Sequence, residues 1–155
     1  MESGPADSEL LVLASAWPQL ECLLINQKWG WKNRGGITPD GLLRLLKTCR
    51  SFSRIAIAIA IDTRGYTDSP PRGSPVSFGL ALPPRFGIDV LDSIIEAESV
   101  PAVAAFFASI GAPCHGIGSR AWNCRLVPVS GTPDVGKYKD RWNDIFKRVN
   151  KAVDS

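Results

Sequence analysis

Asp62, Asp89 and Asp92 fall at or just after the ends of short apolar runs that read as strands, the position where open α/β enzymes place acidic catalytic groups. An aspartate at a strand exit also makes turns by accepting local backbone N–H groups, so the carboxylates alone fit either reading. The single histidine, His115, stands in Cys114-His115-Gly116 with Cys124 further along. Structural zinc sites use paired short ligand spacings, which this arrangement does not supply. Gly116-Ile117-Gly118-Ser119 resembles half a phosphate loop, but no Lys-Ser/Thr completes it. No Gly-x-Ser-x-Gly elbow is present, and His115 has neither a nucleophile nor an orienting acid at a recognisable spacing. The chain is therefore expected to be no enzyme, with no cofactor and no metal. A small α/β enzyme using Asp62 or Asp89 is the alternative.

A second set of residues suits binding. Trp29, Trp31 and Arg34 lie in one glycine-bearing loop, and Arg64 and Tyr66 in another. Exposed Trp, Tyr and Arg are the types enriched at interface hot spots. Each tryptophan folding back over a core edge is the competing reading. If the strands before these loops run parallel, both loops leave the same end of the sheet, which makes the five residues candidate contacts for a protein partner.

The elements that would position them recur at a near-constant step. Leu23-Leu24-Ile25, Ile55-Ala56-Ile57, Ile88-Asp89-Val90 and a weak fourth run, Arg120-Ala121-Trp122, follow one another at intervals of 32, 33 and 32 residues. Leu10-Leu11-Val12-Leu13-Ala14 precedes Leu42-Leu43-Arg44-Leu45-Leu46 by the same 32. A helix-then-strand unit cannot bury its apolar face alone, so such units stack into one core.

Asp7-Ser8 supplies a capping oxygen for the first helix, and Pro18 ends it near Ala16. Leu20 to Ile25 reads as a strand covered on both faces. Thr38-Pro39 opens the second helix with a hydroxyl cap and a proline in its first turn. The strict alternation from Ile55 to Ile61 places isoleucine on one face of an inner strand and alanine on the other. Prolines through 62–85 remove the helix due there, and alternating Val76, Phe78, Leu80 and Leu82 are expected either to add a short strand against the sheet or to stand in for that helix as cover. Pro101 and Gly111 bracket a third helix. The last, from Asp134, carries Val135, Tyr138, Trp142, Ile145, Phe146, Val149 and Val153 on one stripe and a charged, solvated face opposite, as a helix closing the end of a stack would.

With 155 residues, of which 45% are hydrophobic, the chain closes one core burying roughly 70% of its unfolded surface. Net charge is +3, but its 18 basic residues are interspersed among 15 acids, with no basic run to track phosphates. Nucleic acid is not an expected partner, nor is a membrane, since no apolar run approaches a spanning length and no leader opens the chain. Cys22, Cys49, Cys114 and Cys124 lack a C-x-x-C spacing and read as reduced thiols. An intracellular protein, cytoplasmic or nuclear, is expected.

The phrases LASAWPQLECLLINQKWGW, GGITPDGLLRLLKTCRSFSRIAIAI, IDTRGYT, IDVLDSIIEAESVPAVAAFFASI and YKDRWNDIFKRVN resemble the C-terminal region of a large family of fungal F-box-type proteins, over roughly residues 10 to 150. The resemblance implies an irregular leucine-rich-repeat-like α/β array. Its short parallel sheet would carry helices on one side and a C-terminal capping helix, and its relatives select partners for ubiquitin ligases. Residues 1–9 are expected to be a flexible N-terminus and 10–155 a single leucine-rich-repeat-like domain. Nothing before Leu10 holds an F-box, so the chain reads as a shortened relative and docking onto a Skp-type adaptor is not expected of it.

Overall fold

In the computed structural model, the residues described are 6–25, 36–60, 79–80, 82–83, 86–90, 93–111, 117–118 and 135–153. Among them are four α-helices, α1 (Asp7–Ala16), α2 (Pro39–Thr48), α3 (Val100–Ile110) and α4 (Val135–Val153), and four short strands. The strands are β1 (Cys22–Leu24), β2 (Arg54–Ala56), β3 (Gly87–Asp89) and β4 (Ile117–Gly118), and the order along the chain is α1-β1-α2-β2-β3-α3-β4-α4. They form one α/β sheet in the order β1-β2-β3-β4, and every neighbouring pair is parallel.

Register follows the sequence step. Leu23 pairs with Ile55 and Ile55 with Ile88, so three residues spaced 32 and 33 apart stand side by side on the core face. The helices obey the same step, since Asp7 and Pro39, and Ala16 and Thr48, each differ by 32. The two units touch through hydrogen bonds at that interval: Ser51 Oγ to Gln19 Oε1 at 3.1 Å, Ser53 Oγ to the Glu21 carbonyl at 3.0 Å, and the Cys49 thiol to the Trp17 carbonyl at 3.5 Å.

Local chemistry sets each boundary. Thr38 Oγ1 accepts from the Gly41 N–H at 3.1 Å, with Pro39 opening the first turn. Gly111, at φ 70°, ends α3 in the left-handed region that a side chain disfavours. At α1 the cap differs from expectation. The N-cap is Ala6, whose N–H is bound by Glu9 Oε2 at 2.8 Å, while Asp7 reaches across to the next unit. Its two carboxylate oxygens accept from the Thr38 N–H at 2.8 Å and the Thr38 hydroxyl at 2.7 Å. A side chain of α1 thereby holds the start of α2, and ordered structure begins ahead of Leu10.

Three further expectations are corrected. β1 is an edge strand among the described residues, and Cys22 and Leu24 are exposed on the face away from the core, over which no layer packs at these two residues. The partner of β3 is Ile117–Gly118, reached from Ile88 at a step of 29, whereas Arg120-Ala121-Trp122 lies outside the described residues. Backbone pairing there recruits a glycine-flanked dipeptide with little apolar signal. Finally, the ladder of the Ile/Ala run is shorter than the alternation, although Ile55 to Ile59 is buried throughout.

One core joins the layers, with Leu10, Leu42, Leu45, Ile55, Ile57, Ile88, Phe107, Trp142, Ile145 and Val149 among its buried members. Leu80 and Leu82 pack against it, while residues 61–78 before them lie outside the described residues. Trp142 contacts Phe107 edge-on, ring centroids 6.1 Å apart. No helix among the described residues is long and apolar enough to cross a membrane.

The Asp7 clasp yields a sign-changing prediction. Asp7→Ala removes two part-buried hydrogen bonds to a carboxylate and should cost about 1–3 kcal/mol in urea unfolding. A Cβ on Gly41 would stand 1.9 Å from Asp7 Oδ1, so Gly41→Ala alone displaces the carboxylate and destabilises similarly. Added to Asp7→Ala, the same substitution becomes neutral or stabilising by up to about 1 kcal/mol, through helix propensity. Additive losses in the double mutant would contradict the clasp.

Candidate interaction edge of the sheet

Parallel strands release their chain at one end. Beyond that end the run after β2 continues extended: Ile57 N–H donates to the Asp89 carbonyl at 3.0 Å, Ile59 N–H to Ser93 Oγ at 2.8 Å, and Ala60 N–H to the Ile37 carbonyl at 2.7 Å. Ser93 takes over as partner where β3 has ended. Its hydroxyl also bonds the Val90 carbonyl, and its own carbonyl accepts from Trp142 Nε1 at 2.8 Å. Arg141 Nη1 reaches the neighbouring Ile95 carbonyl at 2.6 Å. One buried serine thus ties the second strand's extension, the third strand's exit and α4 together.

This edge is where the predicted contact loops depart. Segment 26–35 leaves after Ile25 and rejoins at Gly36, beside Ile37. Segment 61–78 leaves after Ala60, whose N–H is bonded to Ile37. Trp29, Trp31, Arg34, Arg64 and Tyr66 themselves lie outside the described residues, as do Asp62, Asp92, Cys114, His115 and Cys124. The structure thus fixes the roots of both loops at one edge.

Asp89 is the one strand-end carboxylate within the described residues. It closes β3 in register with Ala56 and Leu24, on the face opposite the isoleucine row, and is buried. Among the described residues no cluster of three or more His, Cys, Asp or Glu could hold a metal ion. Of the thiols, Cys22 is exposed and Cys49 buried. Burial pushes the Cys49 thiol above its ordinary 9.0 by disfavouring the thiolate. No family model, characterised protein or solved structure matches the chain.

What sequence reasoning missed is Ser93. Its signal, a serine four residues after a strand-ending Asp89 and level with the end of the Ile/Ala run, is visible only once the register is known.

Ser93→Ala leaves the buried Ile59 N–H without its acceptor and should cost about 1–3 kcal/mol, while Trp142→Phe, which keeps the ring but not the indole N–H, should cost about 1–2 kcal/mol. Chemical unfolding measures both, and a neutral Ser93→Ala would refute its role as a strand surrogate. Alkylation mapped by peptide mass should label Cys22 in the native protein and Cys49 only on unfolding. The unfolded thiol ionises near 9.0 and the folded one above it. Its contribution to stability is therefore complete below that pH and is lost as pH rises further.

Proposed function

We propose that this chain is a non-enzymatic protein-interaction scaffold, an irregular leucine-rich-repeat-like array resembling the partner-recognition region of an F-box ubiquitin-ligase subunit. The observation that carries the proposal is the congruence of α1-β1 with α2-β2 at 32 residues in element bounds and in lateral register. Stacked units of this kind present long surfaces whose loops vary without disturbing the core. The strand order supports the same reading. It advances in one direction without reversal, and right-handed crossovers then lay their helices on one side of the sheet. The crevice in which open α/β enzymes bind ligands arises where the order reverses, so the enzyme alternative lacks that feature among these strands.

Partner contacts are assigned to the loops rooted at the Ile25, Ile37 and Ala60 edge, with Trp29, Trp31, Arg34, Arg64 and Tyr66 as the contacting side chains. Buried aromatic and arginine anchors carry most interface energy, about 2 kcal/mol or more each when truncated.

The test is affinity capture with the intact chain from its own cells, followed by binding measurements with the purified partner. Trp31→Ala and Tyr66→Ala, each folded by circular dichroism, should weaken that binding at least thirtyfold, the counterpart of about 2 kcal/mol. Unchanged binding by both variants would overturn the contact assignment. Turnover of a small substrate abolished by Asp89→Asn would overturn the scaffold reading itself.

A further inference from the structure

The opposite flank of the sheet carries a second surface. Hydrogen bonds from Leu23 and Ile25 run toward β2, the Ile25 N–H reaching the Ala56 carbonyl at 2.9 Å. Alternate residues of a parallel strand bond to opposite sides, so Cys22 and Leu24 direct their N–H and C=O groups to the open side of β1. Three residues long, this edge has no charge, proline or bulge within it, and such devices are what deter strand addition. Leu24 is 41% exposed.

Charge is placed beside it. Arg54 pairs in register with Cys22, so both side chains project from the sheet face away from the isoleucine row. Arg54 is exposed and makes no ion pair among the described residues. A strand added outside β1 would lie two strand spacings from β2, about 9.6 Å. An arginine and a glutamate together span that distance, and the small Cys22 side chain, level with Arg54 on the intervening strand, leaves the path open. At the strand's entry, Trp17 is 61% exposed on a turn held by the Cys49 thiol bond to its carbonyl. Exposed Arg50 adds further positive charge on the adjoining turn.

We propose that the β1 edge is a docking site for an extended acidic protein segment, added as a fifth parallel or antiparallel strand. The segment carries a carboxylate level with Cys22, which bonds Arg54, and an apolar residue level with Leu24. Main-chain pairing supplies affinity and the two side chains specificity. Charge complementarity selects this occupant: Arg54 and Arg50 are answered only by Glu21 in these two turns, and a second copy of β1 would bring no carboxylate to Arg54. The site is separate from the loop edge assigned above.

The probe is a blocked hexapeptide with glutamate and valine two residues apart in a threonine background, titrated into the full chain by fluorescence anisotropy and followed by amide NMR. Binding should shift the Cys22 and Leu24 amides. It should weaken at least fivefold for Arg54→Gln, or when the peptide's glutamate becomes glutamine, and stay unchanged in Trp31→Ala and Tyr66→Ala. Equal affinity for the glutamine peptide, or shifts confined to residues outside β1 and its turns, would overturn the proposal. So would Arg54-dependent binding of anionic vesicles or single-stranded RNA with none of the peptide, or dimerisation through β1 that excludes it.

Discussion

The row formed by Leu23, Ile55 and Ile88 is the constraint on which the rest of the molecule depends. Each pairs with the next through parallel backbone bonds, and a one-residue slip would turn the isoleucines out and the Cys22, Arg54 and Gly87 row in. Burying an arginine without a partner costs several kcal/mol, so the slip is closed off by charge as well as by lost apolar burial. Once this row is fixed, the helices have one place to go. Leu10 and Leu42, one step apart, are both fully buried, and Asp7 meets Thr38.

Where the repeat falters, side chains replace the missing backbone. β3 ends at Asp89 and β2 at Ala56, yet the residues after β2 keep finding backbone partners as far as Ala60. The Ile59 N–H finds the Ser93 hydroxyl, and the Ala60 N–H finds the Ile37 carbonyl from the preceding unit's return. Between β2 and β3, Leu80 and Leu82 pack against the core. A hydroxyl thus does locally what a strand does elsewhere, and without it the Ile59 N–H would be left unpaired next to the core.

The helices were legible in the sequence because their signals are local. Thr38-Pro39, Pro101 with Gly111 and the Trp142, Ile145 and Val149 stripe each act within a turn or two, and element bounds fall where those residues dictate. The register of the first three strands was equally legible, since the apolar step translates directly into lateral position. Legibility failed where structure depends on distant partners. Nothing about Asp7 announces that it caps the wrong helix, as its oxygens find Thr38 only after the units stack. β4 escaped notice because Ile117 and Gly118 offer too little apolar content to compete with Trp122. The both-faces-covered reading of β1 failed because what covers a face is set by the packing of other layers, and the face carrying Cys22 and Leu24 is exposed. The candidate contacts Trp29, Trp31, Arg34, Arg64 and Tyr66 were found by residue type, which locates the loops' roots but carries no geometry of the side chains.

A sheet whose strands advance in one direction has two unlike ends, and the sequence treats them differently. At the β3 and β4 end, α4 lays Trp142 over Phe107 and anchors it to the Ser93 carbonyl, while Arg141 bonds the Ile95 carbonyl. Its outer face is charged, with Asp144 and Arg148 paired along the helix at 3.1 Å. At the β1 end, residues 10–20 contain no charge at all, and Val12, Trp17 and Leu24 are the exposed large hydrophobics among the described residues. Apolar exposure costs roughly 25 cal/mol per Å², and a chain that sets Lys137, Lys139, Asp140, Lys147, Arg148 and Lys151 outward on α4 leaves Val12 exposed on α1. The asymmetry follows from what each end must do. One is packed under α4, which is anchored at Ser93 and Ile95, whereas the other keeps backbone groups and apolar side chains in the arrangement that a neighbouring strand completes.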